Sequence, residues 1–269
     1  MNKVAIIQAR MGSSRLPGKV LLDIAGKPMI QRVIERSRRA RMLDSVTVAT
    51  TTDTSDEPVA VFAASMGVAC TRGSLHDVLD RYYRAAQTHS ADIVIRITGD
   101  CPVIDPALID LAVHTLLDGG YDFVANRLPP PFTRTFPIGL DVEVCTFSAL
   151  ERAWREADQS FHREHVMPFI YEGVTLNPEN GSLLSGFSPR GFKIAVFNHT
   201  PDYGSLRWTV DTLEDLEMIR RVFDALEDKN NFTWYDLLSL IQKHPELAEI
   251  NAQVHHKSML DVDDRSTNS

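Results

Sequence analysis

The chain has 269 residues, of which 43% are hydrophobic and 24% are charged, and its formal net charge is −8. This composition is typical of a folded α/β domain; the acidic balance disfavours a nucleic-acid binder, and no apolar run is long enough to predict a membrane span. Three widely spaced cysteines without a C-x-x-C pair, and an amino terminus without the pattern of a signal peptide, favour a reduced, cytoplasmic location.

The first predicted element is a short buried strand over 4–7, followed directly by a glycine- and serine-rich loop with three cations. Glycine and serine allow backbone N–H groups to approach phosphate oxygens, while arginine and lysine supply positive charge. The loop fits neither the P-loop pattern nor G-x-G-x-x-G, which disfavours a P-loop kinase and a Rossmann dehydrogenase. A solvated basic loop is the alternative to a triphosphate site. The candidate nucleotide-binding residues are Ala9, Arg10, Gly12, Ser13, Ser14, Arg15 and Lys19.

The helix predicted over 28–40 is rich in arginine toward its end. We interpret this cluster as a solvated helix end, because cations are favoured near the C-terminus of a helix. The acidic background of the chain disfavours a nucleic-acid site there. The cluster consists of Arg32, Arg36, Arg38, Arg39 and Arg41.

Two further strands are predicted over 45–50 and 68–70, and each is followed by polar or small residues. In an open α/β sheet such strand ends border the ligand crevice, where a base or ribose binds. The same residues are ordinary turn and cap residues for helices predicted over 56–65 and from 75 onward, so both interpretations stay open. The candidates are Thr51, Asp53, Gly73 and Ser74.

Two carboxylates are candidates for a metal site. Asp100 follows a buried strand predicted over 92–97, and Asp211 precedes a helix whose start resembles a capping box of Thr212 and Asp215. Because the carboxyl ends of parallel strands converge on one edge of a sheet, we expect the two carboxylates to meet beside the triphosphate. Mg²⁺ commonly takes one or two carboxylates together with substrate oxygens, and it is the predicted cofactor.

Several polar residues of the second half are predicted to contact a second substrate, which we call the acceptor. A strand predicted over 140–144 alternates in polarity, so its two acidic residues share a face and either bind acceptor groups or face water. A later segment holds two histidines and an arginine but lacks H-E-x-x-H, which disfavours zinc and favours contact with the acceptor or a partner subunit. The candidates are Asp141, Glu143, His162, Arg163, His165 and Arg207.

A proline run over 128–132 and a loop-rich stretch over 177–191 break the regular pattern of the chain. We therefore expect an arm over about 127–205 that is separate from the sheet and packs on a second subunit, within a domain over 1–252. The polar segment over 253–269 lacks periodicity and is predicted to be a disordered tail. The other predicted elements are strands over 121–125 and 192–197 and helices over 106–117, 147–156, 213–226, 232–244 and 245–250.

The motifs resemble, in consistent order from residue 3 to about 226, the cytidylyltransferases that activate acidic sugars. These include the 3-deoxy-manno-octulosonate and acylneuraminate cytidylyltransferases, and the nearest resemblance is to the spore-coat polysaccharide biosynthesis protein F group. The resemblance implies a three-layer, largely parallel, Rossmann-like nucleotidyltransferase sheet with an inserted dimerisation arm. It rests on ARMGSSRLPGK (9–19), RGS (72–74), DVLDRY (77–82), TGDCP (98–102), GLDVEV (139–144) and RWTVDT (207–212).

The implied reaction joins CTP to a sugar acid and releases pyrophosphate, for surface polysaccharide or glycan synthesis, in a homodimer. Arg10, Arg15 and Lys19 would neutralise the phosphates, and Asp100 and Asp211 would hold Mg²⁺. Three alternatives stay open: a non-sugar or phosphate acceptor, a glycosyltransferase of similar fold, and a nucleotide-binding scaffold without activity. A glycosyltransferase usually carries an Asp-x-Asp motif, which is absent around Asp100, and a scaffold would not need every candidate cation and carboxylate.

Overall fold

The computed structural model describes residues 1–255; of the predicted tail, 256–269 lie outside the described residues. Within this part, eleven strands alternate with helices along the chain. The strands are β1 (Lys3–Gln8), β2 (Asp23–Ile24), β3 (Lys27–Pro28), β4 (Ser45–Thr51), β5 (Ala69–Gly73), β6 (Ile93–Thr98), β7 (Phe123–Ala125), β8 (Glu143–Thr146), β9 (Thr175–Asn180), β10 (Leu183–Phe187) and β11 (Lys193–Phe197). The helices are α1 (Met29–Ser37), α2 (Glu57–Ser65), α3 (Val78–Thr88), α4 (Pro106–Gly119), α5 (Phe147–Glu156), α6 (Ser160–His165), α7 (Pro168–Tyr171), α8 (Leu213–Ala225), α9 (Trp234–Lys243) and α10 (Glu246–Glu249).

Nine of the strands form one sheet in the order β5-β4-β1-β6-β8-β7-β11-β10-β9. The first four are parallel neighbours, and β7 and β11 are parallel to each other. Strand β8 runs antiparallel between β6 and β7, and the β9–β10 hairpin continues the sheet beyond β11. The predicted largely parallel α/β sheet is therefore confirmed.

Strand β1 shows why the fold has three layers. Its side chains alternate between two apolar cores: Ala5 and Ile7 belong to one, Val4 and Ile6 to the other, and all four are fully buried. The first core includes α1, α4, α8 and α9, and the second includes α3, α5 and α7. A strand covered by helices on both faces reads as a continuous apolar run, which is the pattern found at 4–7.

The stretch 127–205 differs from the prediction, because part of it belongs to the sheet. Strands β8 and β11 both lie in this stretch and pair with β6 and β7. The buried side chains of Val144 and Ile194 supply the physical reason, since they complete the cores on either side of the sheet. An arm separate from the sheet is therefore wrong for these two strands.

The loop predicted over 177–191 is largely the β9–β10 hairpin. Gly181 lies between the two strands. Its φ of 55° is a left-handed backbone conformation, which residues with a side chain rarely adopt. Gly186 lies so close to the neighbouring strand that an added Cβ would come within 2.0 Å of the Thr175 carbonyl oxygen. The glycines that suggest a loop in the sequence are therefore needed for the turn of the hairpin and for the close pairing of its strands.

Two element starts are also shifted from their predicted positions. Strand β8 begins at Glu143 rather than at 140, and α3 begins at Val78, with Asp77 as its N-cap, rather than at 75. The predicted capping box of Thr212 and Asp215 at the start of α8 is confirmed. Among the described residues, no helix has the length and apolar character needed to cross a membrane.

Candidate active site

The loop after β1 is folded tightly on itself. The carbonyl of Met11 accepts hydrogen bonds from the backbone N–H groups of Ser13 (3.0 Å) and Gly18 (2.8 Å). The N–H of Met11 donates to Asp56 Oδ1 at 2.6 Å, which fixes the loop to the start of α2. Gly18 has φ of 71° and directs the chain into a short 3₁₀ helix that begins at Lys19. The loop conformation therefore determines where the Lys19 side chain goes.

Lys19 lies between the two predicted metal ligands. Its Nζ is 2.7 Å from Asp100 Oδ2 and 2.8 Å from Asp211 Oδ1, and it also donates to the Val210 carbonyl at 2.9 Å. The residue is only 8% exposed. Burial alone would lower the pKa of Lys19, but the two carboxylates outweigh burial and raise it. The predicted convergence of the carboxylates is confirmed, while Lys19, predicted to face phosphates, faces the carboxylates.

Asp211 contacts two further cations. Its Oδ2 lies 2.9 Å from Arg15 Nη2 and 2.8 Å from Arg207 Nη2. Burial opposes ionisation, but Lys19 first, then Arg15 and Arg207, hold the pKa of Asp211 well below its usual range. Asp211 therefore pairs with three cations of the protein. The carboxylate is the centre of an ion-pair network.

Arg207 holds Asp211 in place through an ion pair, and its predicted contact with an acceptor stays a prediction. Its Nε lies 2.8 Å from Asp215 Oδ1, and Asp215 is fully buried. Asp215 Oδ2 accepts the backbone N–H groups of Asp211 at 2.9 Å and Thr212 at 3.1 Å. Asn251 Nδ2 donates to Asp215 Oδ1 at 2.9 Å. These contacts fix the backbone and the side chain of Asp211 at the start of α8.

A cavity of about 180 Å³ adjoins Asp100 and Asp211 at the ends of β6 and β7. Asp141 and Glu143 both line it, as their predicted common face requires. Glu143 forms an ion pair with Arg96, and Asp141 forms a two-oxygen ion pair with Arg134. The remaining lining residues are Arg96, Thr98, Cys101, Asn126, Arg127, Ile138, Gly139 and Thr209.

Arg127 and Asn126 are functional candidates that the sequence analysis missed. Arg127 lines the cavity, and its Nε is 3.8 Å from Asp141 Oδ2, a looser contact than the Arg134 pair. Asn126 bonds the Leu140 carbonyl (2.8 Å) and the Val142 N–H (2.9 Å), which holds the cavity wall. Both residues directly follow β7, so the rule that ligands bind at strand ends offered a signal.

The predicted nucleotide residues lie at the ends of β1, β4 and β5. Ala9 is buried and its N–H bonds the Ala49 carbonyl at 3.1 Å, so it forms the floor of the loop; Arg10, Gly12 and Ser13 are half-buried and Ser14 is exposed. Thr51 is buried and donates to Asp56. Asp53 accepts the Ser55 N–H at 2.8 Å, and Ser74 Oγ accepts the His76 N–H at 3.2 Å. The backbone of Gly73 packs against the side chain of Arg81. Turn and cap contacts thus account for Asp53 and Ser74 in this structure.

The predicted acceptor contacts of α6 lie elsewhere. His162 is buried, with Nε2 3.2 Å from Glu172 Oε2. Arg163 binds Asp77 Oδ2 and donates to the Trp154 carbonyl at 2.7 Å, which ties α6 to the N-cap of α3. Among the described residues that line the cavity, none is His162, Arg163 or His165. The structure therefore places α6 against α3 and away from this cavity, and the contact of these three residues with an acceptor stays a prediction.

The carboxylate pair fits a metal that arrives with a phosphate ligand. Within residues 1–255, no cluster of three or more histidine, cysteine, aspartate or glutamate residues could hold a metal by itself. Asp100 and Asp211 nevertheless supply two carboxylates, the number that Mg²⁺ commonly uses when substrate oxygens complete its coordination. Asp100 Oδ1 faces the Cys101 thiol at 3.6 Å, while Oδ2 is paired with Lys19. The donor set is therefore compatible with Mg²⁺, with the Lys19 ammonium between the two ligands.

Comparisons with known proteins agree with this geometry. The cytidylyltransferase family model matches residues 4–238. An uncharacterised protein of Methanocaldococcus jannaschii is 35% identical over 98% of this chain and all of the relative. Spore coat polysaccharide biosynthesis protein SpsF of Bacillus subtilis is 28% identical over 90% of this chain and 95% of the relative. The 3-deoxy-manno-octulosonate cytidylyltransferase of Solibacter usitatus is 33% identical over 82% of this chain and 94% of the relative.

A solved structure supports the same relationship. The structure of a cytidylyltransferase from Leptospira borgpetersenii aligns with a TM-score of 0.82 and 33% identity, over 95% of this chain and all of that chain. The family match includes the loop after β1 and both carboxylates that converge on Lys19. The chain therefore belongs to the cytidylyltransferase family and is a CTP-dependent nucleotidyltransferase.

Proposed function

We propose that this enzyme transfers the cytidylyl group of CTP to a hydroxyl of a small sugar acid, giving a CMP-sugar and pyrophosphate. The observation that carries the proposal is the cavity beside Asp100 and Asp211, which has Arg127 in its wall. Two carboxylates beside the cationic loop suit a triphosphate with its metal, and an arginine in the adjoining cavity suits an acidic acceptor. The relatives named for polysaccharide biosynthesis and for a 3-deoxy-sugar acid support the same acceptor class.

The reaction is an in-line displacement at the α-phosphorus of CTP. The acceptor oxygen forms the new P–O bond and loses its proton, while the bond to the β-phosphate oxygen breaks and pyrophosphate leaves. Catalysis of this kind depends on positioning and charge neutralisation. Arg10, Arg15 and Lys19 supply the cations of the loop, and the Asp100–Asp211 pair would hold Mg²⁺. When bound, Mg²⁺ would orient the phosphate oxygens and offset the developing negative charge.

The charge balance of the ion-pair network supports a role in binding a metal–nucleotide complex. Lys19, Arg15 and Arg207 are matched by the carboxylates of Asp100, Asp211 and Asp215. If a divalent cation takes the carboxylates, Lys19 and Arg15 lose part of their pairing and become available to the anionic phosphates. The network thus exchanges one set of ion pairs for another without leaving a buried charge unpaired.

The acceptor would lie in the cavity with its carboxylate near Arg127. Arg96 is held by Glu143 and Arg134 by Asp141, so these two arginines already have strong carboxylate partners. Arg127, whose contact with Asp141 is looser, is better able to bind an incoming carboxylate bidentately. Asp141 and Glu143 are then suited to accept hydrogen bonds from sugar hydroxyls.

The nucleoside would lie along the ends of β4 and β5. Thr51 ends the first of these strands and Gly73 ends the second, and Asp53 and Ser74 follow them in the chain. The Arg72 guanidinium holds the two ends together by donating to the carbonyls of Thr51 (2.8 Å) and Asp53 (2.9 Å). This arrangement is a rigid edge on which a base and ribose can rest, beside the loop that binds the phosphates.

A pyrophosphate-release screen tests the proposal. CTP, UTP, GTP and ATP are each combined with a panel of 2-keto-3-deoxy sugar acids, other sugar acids and sugar phosphates, with Mg²⁺ present. We expect release that needs both CTP and a sugar acid, together with a CMP-sugar detected by mass spectrometry. Release with a phosphate acceptor but not with any sugar acid would replace the proposed substrate class. Release of a free nucleotide from a nucleotide sugar, without CTP consumption, would favour a glycosyltransferase.

A further inference from the structure

A second cavity, of about 380 Å³, lies between α1 and the connector from α8 to α9. Three arginines at positions i, i+4 and i+7 form one wall, two of them on α1 and the third just after its end, and we call them the arginine row: Arg32, Arg36 and Arg39. Lys27, Lys229 and one carboxylate, Glu35, also line the cavity. Its lining therefore carries five cations and one anion, although the whole chain has a net charge of −8.

The single carboxylate compensates the arginine row only in part, because it attracts Arg32 without forming an ion pair with it. Glu35 is taken by Lys27, with Nζ–Oε2 of 2.8 Å, and by Gln31 at 2.8 Å. Lys229 lies 3.5 Å from Asp224. Within the part of the chain that the structure describes, Arg32, Arg36 and Arg39 form no ion pair with a carboxylate.

Backbone and side-chain amide oxygens partner the row instead. Arg36 Nε donates to the Ile104 carbonyl at 2.7 Å, and Arg36 Nη2 donates to the Phe232 carbonyl at 3.1 Å. Arg32 donates to Ile24 and Ala25, and Arg39 donates to the connector. Anchoring the connector is the structural role of these bonds, but carbonyl oxygens satisfy donors without cancelling a net charge.

Arg36 shows most directly that no carboxylate neutralises the charge of the arginine row by direct contact. It is 3% exposed and lines the cavity, and its Nη1 has no hydrogen-bond partner among the described residues. Burial lowers the pKa of Arg36 to about 10, and the neighbouring Arg39 and Arg32 add to this effect against the attraction of Asp105. The contrast is Arg207, also buried, whose carboxylate partners Asp215 and Asp211 outweigh burial and raise its pKa. An anion in the cavity would offset the cost of burial for the arginine row, as those carboxylates offset it for Arg207.

We propose that this cavity binds a small, multiply charged anion of the phosphate class. Guanidinium groups bind phosphate oxygens bidentately, and a concave site of this size suits a small ligand rather than a macromolecule. The proposal goes beyond the nucleotidyl transfer, since none of the cavity's lining residues borders the cavity beside Asp100 and Asp211. The predicted solvated helix end is wrong for Arg32 and Arg36, which are both buried, and the proposal assigns these arginines a role.

Isothermal titration with inorganic pyrophosphate tests the proposal. The test protein is the double variant Arg39→Gln/Lys229→Gln, which removes two cations outside the buried part of the row. The matched control is Arg38→Gln, the adjacent arginine, which contacts Met66 and Gly67 and does not line this cavity. Because pyrophosphate is also the expected product of the transfer reaction, the KM for CTP is measured for all three proteins to verify that the nucleotide site is intact.

We expect wild type and Arg38→Gln to bind pyrophosphate alike, and the double variant to lose one binding event or to bind there at least about tenfold more weakly. The difference should shrink as sodium chloride is added, because salt screens exposed charges. The KM for CTP should agree within about twofold among the three. Identical isotherms for wild type and the double variant would overturn the proposal. In a parallel assay with vesicles of anionic phospholipid, binding of wild type to the vesicles but not of the double variant, without any difference in pyrophosphate binding, would also overturn it.

Discussion

The Nζ atom of Lys19 lies 2.8 Å from Oδ1 of Asp211, and this contact joins the glycine- and serine-rich loop after β1 to the start of α8. A loop lysine beside a triphosphate site would ordinarily be regarded as a phosphate ligand. Here the same ammonium also neutralises the carboxylate pair and is raised in pKa by it. We therefore expect Lys19 to contribute to stability as well as to turnover, and substitutions in the loop can separate the two effects.

Lys19→Ala is expected to be both inactive and unstable. The substitution leaves Asp100 and Asp211 facing each other without the ammonium, and removal of one partner of a buried ion pair costs about 3–5 kcal/mol. Arg15→Ala removes a partner that is 27% exposed and should cost about 1 kcal/mol or less. Both should lower kcat about 100-fold or more.

Steady-state pyrophosphate release and urea unfolding measure these effects. Lys3→Ala is the matched control, because Lys3 pairs with Asp44 at the end of β1 opposite the loop. It should retain full turnover and nearly full stability. Equal losses of stability in Lys19→Ala and Arg15→Ala would show that the ammonium does not bridge the carboxylates in solution.

The convergence of Asp100 and Asp211 could be predicted from sequence, and the location of Lys19 could not. Each carboxylate follows a strand or precedes a helix cap, and such positions meet at one edge of a parallel sheet. A lysine in a flexible-looking loop gives no such positional information, because its partner depends on how Met11 and Gly18 close the loop. Long cationic side chains reach several places, and tertiary contacts decide among them.

The acceptor candidates show the same contrast between positions that local sequence predicts and contacts that depend on the tertiary fold. The alternation of Asp141 and Glu143 predicted their common face, since it depends only on local backbone geometry. The pairing of Arg163 with Asp77 could not be predicted, because Asp77 lies 86 residues earlier in the chain and has no local signature. Arg127 was missed because an isolated arginine after a short strand resembles any surface cation.

Arg127→Gln is expected to raise the KM for the acceptor at least about tenfold, with the KM for CTP unchanged. The reason is the loss of a bidentate carboxylate partner in the cavity wall. Arg163→Gln is the control, since Arg163 holds Asp77 and does not line the cavity. It should lower the melting temperature but leave both KM values near those of wild type. A normal acceptor KM in Arg127→Gln would remove this arginine from the acceptor site.

The stability of the ion-pair network should depend on pH in a defined direction. The pKa of Asp211 is depressed in the folded protein, so its contribution is complete above the unfolded value of about 4 and is lost as pH falls toward the folded value. The pKa of Lys19 is raised, so its contribution is complete below about 10 and is lost as pH rises through the folded value. The network should therefore be at full strength between about pH 5 and 9.

The test compares wild type with Asp211→Asn by urea unfolding at several pH values. The difference in the free energy of unfolding should be roughly constant, near 3 kcal/mol, across that range. Below about pH 4 the difference should decrease, because protonation of Asp211 in wild type removes the same negative charge that the substitution removes from the variant. A difference that grows in acid would contradict the assignment.

We propose that the chain forms a homodimer through the β9–β10 hairpin. Strand β9 is an edge of the sheet, and Phe187 at the end of β10 is 63% exposed. An exposed edge with an apolar side chain is stabilised by a partner. Phe187→Glu should shift the mass measured by light scattering from dimer to monomer, whereas Val61→Glu, at a similarly exposed apolar position on α2, should not. A monomer mass for wild type at every concentration would exclude this dimer.

The carboxylate pair leads to a prediction about the metal that does not depend on activity alone. Mg²⁺ and the Lys19 ammonium both favour the space between Asp100 and Asp211, so the metal should bind weakly until a nucleotide supplies phosphate oxygens and draws Lys19 away. Mg²⁺ should therefore change the melting temperature of wild type little by itself and raise it clearly with CTP. In Lys19→Ala, Mg²⁺ alone should restore part of the lost stability.

Turnover should require Mg²⁺ or Mn²⁺ and stop when a chelator is added. Asp100→Asn and Asp211→Asn should each lower kcat about 100-fold or more, and the double variant should lose far less than the product of the two, because both groups serve one ion. Asp141→Asn is the control: this carboxylate lines the same cavity, but its partner is Arg134 rather than Lys19. It should change the acceptor KM and leave the Mg²⁺ dependence as in wild type. Strictly multiplicative losses for Asp100 and Asp211 would mean that the two carboxylates act separately, and a shared metal would have to be abandoned.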